Sequence, residues 1–190
     1  KDNVNILRDL SLLQVHIRDL NGYKDSRRQQ LRIKPNNGTN WVAYAIACHL
    51  AGDNDRALVV LDEYEGTLTA SEAAFNVSEL LLFKVDVITA AGDEASLKKG
   101  LGILENSGKK IVDTFGLLEK KANILERLGR SEDAAGLYRH MLSLNNENKR
   151  FHDGLRRALV GEVDDEHLTE EQAKTLLDVY TEWSARHPKS

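Results

Sequence analysis

Cys48 and His49, adjacent in "IACHL", are the pair best suited to chemistry, because an imidazole beside a thiol can generate a nucleophilic thiolate. Neighbours on a helix point about 100° apart, so these two do not face each other, and Cys48 reads as a small buried apolar residue. The chain holds six histidines, His16, His49, His140, His152, His167 and His187. No two stand three to five residues apart, the spacing at which a helix presents a zinc-binding pair.

Carboxylates gather in "GEVDDEHLTEE", where Glu162, Asp164, Asp165 and Glu166 are candidate ligands for a divalent cation. The run lacks the alternating ligands and central glycine of a calcium loop. It reads instead as a solvated acidic loop ahead of a helix whose N-terminus suits Glu170 and Glu171. "GLGIL", Gly100 to Leu104, is the one glycine alternation, without a third glycine or a preceding strand. A tight helix contact or irregular turn fits it better than a phosphate cradle.

The stretch "YKDSRRQQLRIK" carries Lys24, Arg27, Arg28, Arg32 and Lys34, with no acid after Asp25. Such a strip is either a solvated outer face or a surface for RNA phosphates. Tyr23 is the one aromatic residue there, so reading of individual bases is not supported. No catalytic residue, cofactor or metal is expected.

The elements that would position these residues announce themselves by a repeated spacing. In "LEKKANILERLGRSEDAAGLYRHML", Ala122 lies seven residues before Gly129, Ala134 five after it, and Tyr138 four further on, with Leu118 eleven before. Around Gly52 the same offsets hold Trp41, Ala45, Ala57 and Leu61. Each set describes two amphipathic helices joined by a tight turn. The glycine ends the first helix in the left-handed conformation, Asp53 or Ser131 caps the second, and the alanines let the backbones approach.

Weaker copies extend the series through Arg18, 34 residues before Gly52, and Gly92, 40 after it, to a last hairpin ending near Pro188. A capping box is expected at Thr169 and Gln172. A period near 34 is the tetratricopeptide signature. The expected fold is all-α: about five hairpins (3–35, 38–67, 73–107, 110–146, 148–188) in one segment, stacked as a right-handed superhelix, an α-solenoid. Helices are expected near 3–17, 21–33, 40–51, 54–66, 73–91, 94–107, 110–128, 132–144, 148–159 and 170–186. The inward face of the first helices would then present Arg8, His49, Asp86, Asn123, Glu126 and Arg127.

Composition agrees, with 2 prolines and 6 % aromatic residues among 190. A formal net charge of −4 gives no general attraction to nucleic acid or anionic membrane, and a single cysteine fits a reducing compartment. No leader or membrane span is visible, so the sequons at Asn37 and Asn76 read as chance. A helical pattern starting at the first residue, Lys1, reads as a piece of a longer protein.

The segments "ILRDLSLLQ", "RDLNGY" and "WVAYAIACHL", with "SELLLFKVDVITAAG" and "EDAAGLYRHMLSLNNEN" further on, resemble the auxiliary subunit of the N-terminal acetyltransferase A complex. The resemblance implies a cytoplasmic, non-catalytic scaffold that wraps the catalytic acetyltransferase subunit and anchors it at the ribosome. The alternative is a generic repeat adaptor holding a peptide or chaperone tail in its groove. The mixed charges at Arg8, His49, Asp86, Asn123 and Arg127 argue against a dedicated carboxylate clamp.

Overall fold

The computed structural model describes residues 3–68, 74–163 and 167–186. Among them are ten α-helices and no strand: α1 (Val4–His16), α2 (Leu20–Ile33), α3 (Gly38–Leu50), α4 (Asn54–Thr67), α5 (Ala74–Thr89), α6 (Glu94–Ser107), α7 (Thr114–Arg127), α8 (Ser131–Leu144), α9 (Lys149–Val160) and α10 (Glu170–Arg186). The expected helices all form. The seventh starts later than expected, because Gly108–Lys110 makes a short 3-10 turn and Asp113 then caps α7, accepting from the Gly116 amide at 2.9 Å.

The chain divides into two compact units, residues 1–96 with 109–112 and residues 97–108 with 113–190. In the first, α1 packs on α2, α2 on α3, α3 on α4 and α4 on α5. Its core gathers Tyr44, Ala45, Cys48, Ala57, Val60, Leu61, Leu80 and Val87. In the second, α7 packs on α8, α8 on α9, and α10 on α9. Ala122, Ala134, Ala135, Met141, Leu142 and Leu155 are buried there.

Burial follows the offsets. Ala45, Ala57, Ala122 and Ala134 are 0 % exposed, so each hairpin closes where its small residues meet. In the Gly92 set the same positions hold Val85 and Leu97, also buried although larger. Gly161, which ends α9, takes φ +82° with ψ −171°, an extended exit that does not repeat the hairpin turn, and Gly154 within α9 is buried against Tyr138. Fully burying a side chain such as Leu61 or Leu142 contributes about 2 kcal/mol.

The first hairpin fills the same places with polar groups. Arg18 takes the turn position, Ser11 the small position seven before it, and Arg27 the place held by Leu61 and Tyr138 in the other hairpins. Ser11 is 0 % exposed and donates to the Arg8 carbonyl at 2.7 Å; Gln30 donates to the Ser11 hydroxyl at 3.4 Å, and Ser26 to Gln14 at 2.8 Å. A hydrogen-bonded seam thus replaces an apolar one between α1 and α2. The Ser26–Gln14 and Gln30–Ser11 bonds cross the pair and offset the burial of those groups, whereas the buried Arg27 Nε has no hydrogen-bond partner.

Glycines 52, 92 and 129 sit at φ +79°, +80° and +73°, and Arg18 adopts +60° in the equivalent turn. A side chain bearing Cβ is disfavoured in that region by about 1–2 kcal/mol. Arg18→Gly is therefore expected to raise stability by about 0.5–1 kcal/mol, after allowing for the more flexible unfolded chain. The shift in the urea unfolding midpoint checks it.

Each turn leaves one residue between its left-handed position and the next helix. Asp19, Asp53 and Asp93 fill that place and accept from the amides of Gly22, Arg56 and Ser96 at 3.0, 3.3 and 2.9 Å. A cap of this kind contributes about 1 kcal/mol. By the same count the cap position after Gly129 is Arg130, which corrects the expectation of Ser131: Ser131 is the first helical residue, and Arg130 instead pairs with Asp133 at 2.7 Å. The box at Thr169 and Gln172 forms, each side chain bonding the other's backbone N–H at 3.2 and 3.0 Å.

Candidate binding faces

The five cations of the basic stretch do not act as one strip. Lys24 lies on the side of α2 that faces the α3–α4 turn, and its ammonium donates to Asp53 Oδ2 at 3.1 Å. This hydrogen bond holds the Lys24 pKa above its ordinary value. Arg27 is half-buried, with its guanidinium 5.1 Å from the Tyr23 ring centroid and Nη1 donating to Gln30 at 3.0 Å. Lys24 thus ties α2 to the next turn, whereas the partners of Arg27 lie on α2 itself. Arg28, Arg32 and Lys34 are exposed. Arg28 and Arg32, four residues apart, share one side of the helix.

The expected inward residues differ among themselves in the same way. Arg8 is exposed and pairs with the neighbouring Asp9 at 3.3 Å. His49 is half-buried, its Nδ1 2.7 Å from Asn54 Oδ1 and its ring edge-on to Phe83 at 5.9 Å, so it closes the α3–α4 turn against α5. Asp86 is half-buried, whereas Asn123 and Arg127 are exposed on α7. Glu126 accepts from Arg157 Nε at 3.0 Å, and one rung away Glu119 accepts from Arg150 at 3.4 Å. Two Glu–Arg pairs thus bridge α7 and α9.

At the inner rung Arg157 also donates to the Tyr138 hydroxyl at 3.4 Å. Burial first, then the Glu126 carboxylate, pushes the Tyr138 phenol up to about 12. The bond to Glu126 in turn holds Arg157 further into its charged form. Tyr138, Glu126 and Arg157 form a closed network on three helices. Its bonds run between three helices, which suits a structural brace.

The groups singled out for catalysis are not assembled. Cys48 is 0 % exposed, and burial pushes its thiol pKa up, the opposite of what a nucleophile needs. Its neighbour His49 is engaged with Asn54 instead. His152 donates from Nε2 to the Asn146 carbonyl at 2.8 Å and packs between Tyr180 and Trp183, where it seats α10. Gly100 is a buried position inside α6, not a turn. Glu162 is exposed, whereas Asp164, Asp165, Glu166, His187 and Pro188 lie outside the described residues. Among the described residues no three His, Cys, Asp or Glu converge as a metal ion would require. No described helix is long and apolar enough to cross a membrane.

One open groove of about 860 Å³ runs past the start of α3. Its floor is the stacked pair Trp41 and Tyr64, 6.2 Å between centroids, and its walls include Asn36, Asn37, Thr39 and Leu68. Trp41 Nε1 donates to the Pro35 carbonyl at 2.7 Å, which fixes the ring. None of the described residues lining the groove is charged.

Comparison with known proteins gives these surfaces a context. Residues 75–190 match the family model described as N-terminal acetyltransferase A, auxiliary subunit. Over its whole length the chain is 36 % identical to the N-terminal acetyltransferase A complex auxiliary subunit NAA15 of Arabidopsis thaliana. It is 37 % identical to N-alpha-acetyltransferase 16, NatA auxiliary subunit, of Homo sapiens. The chain spans about 21 % of the length of each of these relatives. It is also similar to a chain in the structure of Naa15/Naa10 bound to HypK-THB, with a TM-score of 0.78 and 34 % identity over all of this chain and 28 % of that one. A MamA crystal structure, at 15 % identity and a TM-score of 0.60, shares the helical-repeat fold alone.

Proposed function

Since the chain belongs to the auxiliary-subunit family of the N-terminal acetyltransferase A complex, we propose that it is part of a non-catalytic cytoplasmic scaffold, one continuous repeat segment that helps hold the catalytic N-acetyltransferase subunit. The observation that carries this reading is the likeness of the whole chain to one found in an assembly of Naa15 with Naa10. The buried thiol and a polar network that braces three helices support a binding role over a reactive one. The test is purification of the full-length parent with and without residues 1–190. Recovery of acetyltransferase activity with the intact parent, and its loss or weakening with the deletion, is the expected result. Recovery of a chaperone in place of an acetyltransferase would favour the peptide-tail adaptor.

We further propose that Arg28, Arg32 and Lys34 meet ribosomal RNA phosphates, with Lys24 tied to Asp53 and Arg27 engaged within α2 behind them. The exposure of those three and the engagement of the other two support this division. Replacing Arg28, Arg32 and Lys34 by glutamate is expected to weaken ribosome association about tenfold near 100 mM salt and to make its salt dependence shallower. Co-sedimentation at several salt concentrations measures both, and an unchanged profile would assign the three to ordinary solvation.

A further inference from the structure

We draw no further inference here: the strongest candidate, the exposed apolar stripe Ile6, Leu10, Leu13 and Ile17 along α1, is an unpartnered helix face for which nothing in the structure shows what covers it.

Discussion

Gly154→Ala is expected to destabilise the chain by about 2 kcal/mol, although the same change in an exposed helix ordinarily stabilises. A Cβ built on Gly154 would lie 2.3 Å from Tyr138 Cε1 and 2.4 Å from Cζ, well inside contact distance. The ring is 4 % exposed and tied through its hydroxyl to Arg157, so it cannot swing aside without disturbing the Glu126 pair. Gly136, on the open side of α8 with no atom within 4 Å of a built Cβ, supplies the control. Gly136→Ala is expected to gain up to about 1 kcal/mol from helix propensity. Opposite shifts of the urea midpoint in the two variants are the predicted outcome. Equal gains would mean that α8 and α9 do not meet at Tyr138.

Tyr138 also makes the chain sensitive to alkali. An ordinary tyrosine titrates near 10, and in the folded chain burial and the Glu126 carboxylate raise the Tyr138 value to about 12. The unfolded chain therefore loses this proton first. The stabilisation is complete below pH 10 and is lost as pH rises towards 12, amounting to about 2–3 kcal/mol. Tyr138→Phe lowers stability at neutral pH by removing the bond from Arg157, yet it should flatten the fall between pH 10 and 12. Tyr180, whose pKa burial also raises, leaves a shallower residual slope. Denaturant titrations at stepped pH read the difference, and identical slopes in parent and variant would place the sensitivity elsewhere.

Much of the fold was legible because one set of offsets does the same physical work in successive hairpins. Ala45 and Ala57 are small where two backbones approach, and Gly52 takes a conformation that a Cβ resists. Arg18 was recognisable by its place in the period alone, because its residue type hides the turn it makes. Gly161 has the residue type but leaves α9 in an extended conformation, so glycine alone does not mark a hairpin. The candidate faces were harder to read. Charge type marked five cations in one stretch, yet their position relative to Arg18 already distinguished Arg27, which falls where Leu61 and Tyr138 fall. Lys24 carried no such mark, because its partner Asp53 lies 29 residues away on another turn. Similarly, nothing local in "LLEKKANILER" signals that Glu119 and Glu126 will meet Arg150 and Arg157. Such pairings depend on the distance between two helices, which single-sequence periodicity does not encode.

The two Glu–Arg rungs run in the same direction along α7 and α9, and each pair of like residues is separated by seven positions, or two turns. Sliding α9 by one turn would leave neither carboxylate opposite a guanidinium, and sliding it by two would strand one member of each kind. The rungs thus mark the register that the packing of α7 and α9 on α8 sets. Both rungs join residues 31 positions apart, so together they mark a single mutual register of α7 and α9.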